Sequence, residues 1–233
     1  MRFNAAKCQV LRVTNKRQPI ITSYNIHGHV LEAVNSAKYL GVHLDSRLNF
    51  NSHVDAITRK ATSTRAFLAR NLNFCSQKVK EATYTTFIRP TVEYASSVWD
   101  THTQRNTKKV EQVQRSSARF VIGDYNRTSS VSAMLQKLNW SSLQNRRMNS
   151  RLIMMYKIRY NLVDISWDHY LTHLSSSTRG HSSRFFIPQT SSTVYTNSFF
   201  PRTIRDWNNL PEDPAGYPSL DAFKLAVRDR PQK

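Results

Sequence analysis

Cysteine and glycine are both scarce in this sequence, with two and five residues among 233. Cys8 and Cys75 are too few and too far apart for a disulfide framework or a zinc knuckle, so a reducing compartment fits. The glycines match neither a phosphate-binding loop nor a dinucleotide fingerprint. No apolar run approaches transmembrane length, and Lys7 interrupts the stretch that a signal peptide needs. We therefore expect a soluble, non-secreted protein of the nucleus or cytoplasm.

Acidic residues are also scarce, and none are grouped as catalysis would require. Two-metal polymerase chemistry needs closely spaced carboxylates, yet the sequence has no Asp-Asp pair. The only adjacent acidic pair, Glu212-Asp213, lies between two prolines in a predicted loop. His169 and His173 have helical ligand spacing, but no nearby Cys or Glu completes a tetrahedral set. The residues by themselves predict a binding chain without a metal site or a cofactor, not an enzyme.

Positive charge is abundant and unevenly distributed. The net charge is +19, and residues 1–160 carry 26 Lys and Arg against 8 Asp and Glu. The last 73 residues are nearly neutral, with 8 basic and 7 acidic side chains. Such a lopsided excess favours a polyanionic partner, with nucleic acid the first candidate. The alternative is that the positive charge serves only to keep the protein soluble, but solubility does not require the charge to be concentrated in one part of the chain.

Short extended segments are predicted for the first 45 residues. Residues 8–14 are rich in β-branched and apolar side chains, and residues 20–26 end at His27-Gly28, with residues 31–34 as a returning hairpin arm. Residues 38–44 alternate apolar and other side chains, which is the period of a half-buried strand. Together these segments predict the edge of a small antiparallel sheet.

Helical periodicity dominates the rest of the chain. Ser76 is a candidate N-cap, Pro90 either kinks a helix or opens one, and Gly123 is placed to end one. We predict an α+β fold, mainly α, with a β part over residues 1–48, a helical domain over 49–163 and a loop-rich C-terminal segment over 164–233. The predicted helices span residues 51–72, 76–89, 90–99, 105–122, 129–138, 143–161, 199–210 and 219–228.

The helix predicted over residues 105–122 carries the clearest binding signal, because it is apolar on one side and cationic on the other. Only Glu111 dilutes the positive side, so phosphate contact is favoured over an ordinary solvated face. Its buried face is predicted to hold Val110, Val113, Ser117 and Val121. Its cationic face is predicted to hold Arg105, Lys108, Arg115 and Arg119. In the helix over 143–161, the cations opposite the apolar side are Arg146, Arg147 and Lys157.

Aromatic side chains could also stack on nucleic-acid bases. Most of them lie among apolar neighbours at helical spacing, so core packing is the better expectation for each. The residues considered are Tyr84, Tyr94, Trp99, Trp140 and Trp207.

Three segments occur in an order that resembles the region behind the active site in reverse transcriptases of non-LTR (LINE-type) retrotransposons. They are AKYLGVHLD at 37–45, IRPTVEYASSVWD at 88–100 and ARFVIGDYNRTSS at 118–130. FNAAKC at 3–8 resembles the end of the palm around motif D, which would assign Lys7 a part in protonating pyrophosphate. KYLG at 38–41 resembles the motif E turn, whose Tyr39, Leu40 and Gly41 would grip the primer end. FFPRTIRDWNNLP at 199–211 resembles the close of jockey-like elements.

This resemblance implies a thumb-like role for the helices over residues 51–161, which would cradle the template–primer duplex. The family's catalytic motif, an aromatic residue followed by two aspartates, would lie upstream of Met1. We therefore expect a truncated RNA-directed DNA polymerase that retains at most sequence-independent RNA/DNA template–primer binding. No residue of this chain is then catalytic, and Mg²⁺ would be needed only by the full-length parent. The alternative is a helical protein-interaction module recruited from a retroelement, or a non-functional remnant.

Overall fold

The computed structural model describes residues 4–174 and 180–230. The chain divides into two compact units between Ile57 and Thr58. Helices predominate and the strands are short, which confirms the predicted α+β, mainly α class. Within the described ranges no helix is both long enough and apolar enough to cross a bilayer. Phe3, the first residue of the motif D-like segment, lies outside the described residues.

The first unit contains three two-stranded sheets. Two are antiparallel hairpins, β2–β3 and β5–β6, whereas β1 pairs with β4 in parallel. The prediction of one antiparallel sheet was therefore wrong, because the chain after β1 makes the β2–β3 hairpin and returns along β1 in the same direction. The predicted turn at His27-Gly28 is confirmed. The strands are β1 Gln9–Leu11, β2 Asn25–Ile26, β3 His29–Val30, β4 Glu32–Val34, β5 Ser36–Tyr39 and β6 Val42–Asp45.

The segment predicted as one strand over residues 38–44 is instead the β5–β6 hairpin. Leu40 and Gly41 both have positive φ, 44° and 85°, as a two-residue type I′ turn requires. Tyr39 pairs with Val42 and Lys38 with His43. Side chains alternate along each strand, but the paired residues Tyr39 and Val42 share one face, so the phase of the alternation changes at the turn. The few residues on either side of the turn did not reveal this change.

Little apolar surface is buried in the N-terminal sheets. From residue 4 to residue 50 only Val42 is buried, while Ile20 and Ile21 are 82% and 80% exposed. Isolated two-stranded sheets are marginally stable without a packed face. The segment from residue 4 to residue 50 thus has Val42 as its one buried side chain, and its strands are held mainly by backbone hydrogen bonds.

The helices follow the predicted positions closely. Gly123 ends α5 in the left-handed conformation with φ 78°, as predicted, and Ser76 occupies the N-cap position of α2. Helix α1 begins in the first unit and ends in the second. The helices are α1 Asn51–Asn71, α2 Gln77–Thr83, α3 Arg89–Glu93, α4 Ser96–Trp99, α5 Gln104–Ile122, α6 Val131–Lys137, α7 Leu143–Arg159, α8 Thr193–Thr196, α9 Phe199–Asn208 and α10 Leu220–Arg228.

Two irregularities interrupt the helical stretch between Ser76 and Trp99. A π-helical turn, Tyr84–Ile88, joins α2 to α3, and Pro90 then lies in the first turn of α3. Ala95 has a left-handed backbone with φ 50°, which separates α3 from α4. The indole N–H of Trp99 donates to the Tyr94 carbonyl at 2.7 Å across this break. The helix predicted over residues 90–99 is therefore two short helices.

The core of the second unit lies between α7 and the C-terminal helices. Leu152 and Met155 of α7 are fully buried against Trp207 of α9 and Phe223 of α10. Residues after 163, predicted to form a separate loop-rich segment, thus belong to the same compact unit as α7. Of the strand pair predicted within residues 172–196, the described residues contain only the bridge between His173 and Phe185.

A buried ion network ties the same elements together. The Asp100 carboxylate accepts the Nε–H groups of Arg147 and Arg151, each at 2.8 Å, and all three side chains are at most 3% exposed. Arg202 of α9 donates to the Asp100 carbonyl at 2.8 Å, and Arg151 pairs with Asp206 at 2.9 Å. The network therefore joins the segment after α4 to α7 and α9.

Candidate nucleic-acid interface

The buried face of α5 is confirmed. Val110, Val113, Ser117 and Val121 are all at most 3% exposed. The buried Ser117 hydroxyl donates to the Val113 carbonyl at 2.7 Å, which satisfies its only polar group within the helix. The opposite side of α5 is consequently turned outward.

Glu111, the acidic residue of α5, is hydrogen-bonded to another helix. Its carboxylate accepts the backbone N–H groups of Leu143 at 3.3 Å and Gln144 at 2.7 Å. These are the first residues of α7, where a negative charge offsets the positive end of the helix dipole. Glu111 therefore caps the N-terminal end of α7. Arg105 and Lys108 remain exposed on the cationic face, and Arg115 is half-buried.

Arg119, predicted on the same face, has a local structural role. Its guanidinium donates to the Asp124, Asn126 and Ser129 carbonyls at 3.3, 2.8 and 3.2 Å. These carbonyls belong to the loop that follows Gly123, so Arg119 holds that loop against the end of α5. It is a weaker candidate for phosphate contact than Arg105 or Lys108, because binding a phosphate would compete with three hydrogen bonds.

The α7 cations differ in their surroundings. Arg146 forms a bidentate ion pair with Glu93, and this hydrogen bonding raises the pKa of the Arg146 guanidinium. The Arg147 side chain is completely buried beside Asp100, so it cannot reach a phosphate. This burial contradicts the prediction that Arg147 contacts nucleic acid. Lys157 is half-buried on α7.

The β5–β6 hairpin presents its predicted contact residues at its tip. Tyr39 and Leu40 are 66% and 73% exposed, and Gly41 is exposed beside them. Leu40 holds positive φ, which is costly for a residue with a side chain and is often found at functional turns. The tip is therefore a projecting, defined turn with an aromatic and an aliphatic side chain at its end.

A buried histidine anchors this hairpin within the first unit. The His43 backbone N–H donates to Nδ1 of His53 at 3.3 Å, and His53 is 1% exposed. Burial, together with the nearby His43, lowers the pKa of His53 to about 4. His53 is thus neutral at pH 7, as an acceptor of this hydrogen bond must be.

The remaining candidates for chemistry are Lys7 and the Glu212-Asp213 pair. Lys7 is exposed at the end of a single 3₁₀ turn, Ala5–Lys7, whose N-cap is Asn4. The Tyr217 hydroxyl donates to Glu212 at 2.7 Å, and Asp213 accepts the N–H of Ala215 at 2.9 Å. Residues 4–174 and 180–230 contain no group of three or more His, Cys, Asp or Glu side chains that could hold a metal ion.

Aromatic burial agrees with the predicted core packing at most positions. Tyr84, Trp99 and Trp207 are at most 1% exposed, and Trp140 stacks on Tyr84 with ring centroids 3.9 Å apart. Tyr94 is the exception at 59% exposed. Its exposure follows from the π turn and the break at Ala95, neither of which a regular helical period anticipates.

Two proteins of known name are similar to part of the chain. A probable RNA-directed DNA polymerase from transposon BS of Drosophila melanogaster is 28% identical over 106 residues, 44% of this chain and 12% of that protein. A probable RNA-directed DNA polymerase from transposon X-element of the same organism is 32% identical over 95 residues, 38% of this chain and 10% of that protein. The matched part of the chain thus spans about a tenth of each relative.

The sequence was also compared with protein-family models and with solved structures. No family model matches the sequence, and no solved structure matches the fold.

Proposed function

Because the chain is related in sequence to retrotransposon RNA-directed DNA polymerases, we propose that it binds RNA–DNA or DNA duplexes without sequence preference. The cationic face of α5 would contact the phosphate backbone. The tip of the β5–β6 hairpin would contact a primer end, as the resemblance of KYLG to a primer-grip turn implies. The relatives act as RNA-directed polymerases according to their names, so a template–primer duplex is the ligand that this relationship favours.

The observation that carries the proposal is the position of Glu111. Glu111 lies between Lys108 and Arg115 on this side of α5, but its carboxylate accepts two N–H groups of α7, and the cations Arg105, Lys108 and Arg115 outnumber it. Cations spaced three and seven residues apart lie on one side of a helix and can follow a phosphate backbone. Contacts of this kind carry no base information and release counterions, which makes binding salt-dependent.

The proposal is limited to binding. Polymerisation by the two-metal mechanism requires clustered carboxylates. The sequence has no adjacent pair of aspartates, and its one adjacent acidic pair, Glu212-Asp213, bonds to Tyr217 and Ala215. We therefore propose that this chain, tested by itself, binds nucleic acid without extending a primer. Lys7 remains a motif D-like residue by resemblance only.

Fluorescence anisotropy with a labelled 20-base-pair RNA–DNA hybrid tests the proposal. The variant R105A/K108A/R115A removes three exposed or half-buried cations and leaves Arg119 in place to hold its loop. If each cation contacts one phosphate, the slope of log affinity against log salt should become shallower by about 3. Affinity should fall equally for hybrids of unrelated sequence.

A charge-matched variant provides the control. R205A/K224A/R228A removes three positive charges, as many as the α5 variant does, but from α9 and α10. These helices belong to the nearly neutral last 73 residues of the chain. It should change the affinity and the slope much less than the α5 variant. Equal effects of the two variants would show that total charge, not the cationic face, drives binding. An unchanged slope for the α5 variant would show that this face is only a solvated surface.

A further inference from the structure

The helical stretch from α2 to α4 exposes a row of apolar side chains, which we name the apolar stripe. It consists of Val79, Phe87, Tyr94 and Val98, which are 44%, 56%, 59% and 57% exposed. The two rings alone expose about 230 Å², taking about 200 Å² for each aromatic side chain. With the two valines added, the exposed area comes within the range of about 300–600 Å² that the largest apolar patch of a typical monomer covers, and such patches are often functional.

The π turn affects the alignment of the stripe. In an uninterrupted α-helix Phe87 would lie about 80° around the axis from Val79, because eight residues make two turns plus 80°. The wider turn Tyr84–Ile88 rotates less per residue than an α-helix and so reduces this offset. The same turn buries Tyr84 and Ile88 on the inner side. π turns of this kind occur frequently at functional sites.

The break after α3 supports the same conclusion. Ala95 adopts a left-handed backbone, which is costly for any residue except glycine. The Trp99 indole, which is fully buried, bonds to the Tyr94 carbonyl and stabilises this conformation. Tyr94 is therefore held outward by a strained but supported backbone. Strain of this type concentrates at functional positions.

The stripe carries no exposed charge, which is unusual in a chain with 34 Lys and Arg residues. Seven residues between Val79 and Val98 are exposed, and none of them is charged. The other three are Ala82, Thr86 and Pro90.

The charges named at the borders of the stripe are three cations and two carboxylates, which leaves an excess of one positive charge. Lys78 is exposed, and Arg89 and Arg146 both approach the single carboxylate of Glu93. The Glu81 carboxylate accepts the Trp140 indole N–H at 3.1 Å and is turned toward that side chain. A second copy of the chain would bring the same positive borders and would be repelled, whereas a partner with acidic borders would be attracted.

We propose that the apolar stripe is the docking surface for an amphipathic helix whose apolar side is bordered by Asp or Glu. A helix is the fitting partner because the stripe lies on a convex helix whose backbone groups are already bonded, so no strand edge is available for pairing. The continuous part of the stretch, residues 77–93, is about 25 Å long, the length of a partner helix of about five turns. It carries Val79 and Phe87, and Tyr94 follows it directly. This inference is independent of the nucleic-acid proposal.

A synthetic peptide tests the proposal with the complete chain. The probe is a 19-residue helical peptide with leucines at i, i+3, i+4 and i+7 spacing and glutamates on both borders. Calorimetry should show saturable binding, with a dissociation constant on the order of 10 µM. Phe87→Glu and Tyr94→Glu should each weaken it by about tenfold or more, since an interface anchor contributes at least about 1.4 kcal/mol. The matched control Phe186→Glu, a 52% exposed phenylalanine elsewhere, should leave binding unchanged.

Two further measurements separate the alternatives. An isomer of the peptide with lysines in place of glutamates should bind at least about tenfold more weakly. The proposal would be overturned if the two peptides bound equally well or if neither showed saturable binding. It would also be overturned if neither Phe87→Glu nor Tyr94→Glu weakened the binding. A dimer in sedimentation that Phe87→Glu abolishes would identify a second copy as the occupant instead. A loss of hybrid-duplex affinity in Phe87→Glu that exceeds the loss in the equally charged control Phe186→Glu would assign the stripe to nucleic acid.

Discussion

Replacing Asp100 by asparagine should destabilise the second unit strongly. Asp100 is the carboxylate shared by Arg147 and Arg151, and the three side chains are 3%, 0% and 3% exposed. Asparagine keeps the shape of the side chain but removes the negative charge and turns one acceptor into a donor. Arg151 retains Asp206 at 2.9 Å, but the fully buried Arg147 loses its paired charge. Removing one partner of a buried ion pair typically costs about 3–5 kcal/mol.

Urea denaturation followed by tryptophan fluorescence measures this effect. All four tryptophans lie after residue 57, so the signal reports on the second unit alone. With a slope of about 2 kcal/mol per molar urea, the loss should lower the midpoint by about 2 M. Combining Asp100→Asn with Arg147→Met removes the uncompensated cation and should recover part of the loss.

The control is Asp221→Asn, which removes an 85% exposed carboxylate paired with Lys224 at 2.8 Å. An exposed ion pair contributes little, so its midpoint should match that of the unmodified chain. A shift of less than about 0.5 M for Asp100→Asn would refute the reasoning, because it would mean that the buried network does not hold α7 to the C-terminal helices.

Two other predictions concern activity and pH. Primer extension on an RNA template with Mg²⁺ or Mn²⁺ should give no incorporation above a mock purification, since the sequence lacks paired aspartates; clear incorporation would contradict the binding-only proposal. The His53 pKa falls from 6.5 to about 4 on folding, so its contribution to stability is complete above pH 6.5 and is lost as the pH falls toward 4. The protection factor of the Val42 amide, which is its intrinsic exchange rate divided by its observed rate, should fall between pH 7 and 4, and His53→Gln should flatten this profile. A protection factor that is already independent of pH in the unmodified chain would be the contrary result.

Local patterns were sufficient for the elements and for the buried face of α5. Apolar periodicity located α1, α5 and α7 to within two residues, because one face of each helix is apolar at a regular spacing. Gly123 ended α5 as expected, since a left-handed C-terminal residue is a local requirement. The mainly helical class and the excess of positive charge likewise followed from the sequence.

The predictions from local sequence patterns were wrong at the β5–β6 hairpin and at the two breaks in the helical stretch before Trp99. The alternation over residues 38–44 was interpreted as one strand, but in the hairpin Tyr39 and Val42 share a face and the phase changes at Leu40-Gly41. The segments on either side of this turn are too short for the change to be recognised from the sequence. The exposure of Tyr94 depends on a π turn and on a left-handed Ala95, whereas the prediction assumed uniform helix.

The roles of the charged residues were decided by the tertiary structure alone. From its own helix Arg147 looked like a surface cation, but its partner Asp100 lies 47 residues earlier, in the segment after α4. Glu111 looked like a dilution of the cationic face, yet it bonds to N–H groups 32 and 33 residues later. A helical period shows on which side a charge lies, but burial and ion pairing depend on which distant element packs there. That information resides in the packing of α5, α7 and α9, and it separates the cations that can meet a phosphate from those that hold the fold together.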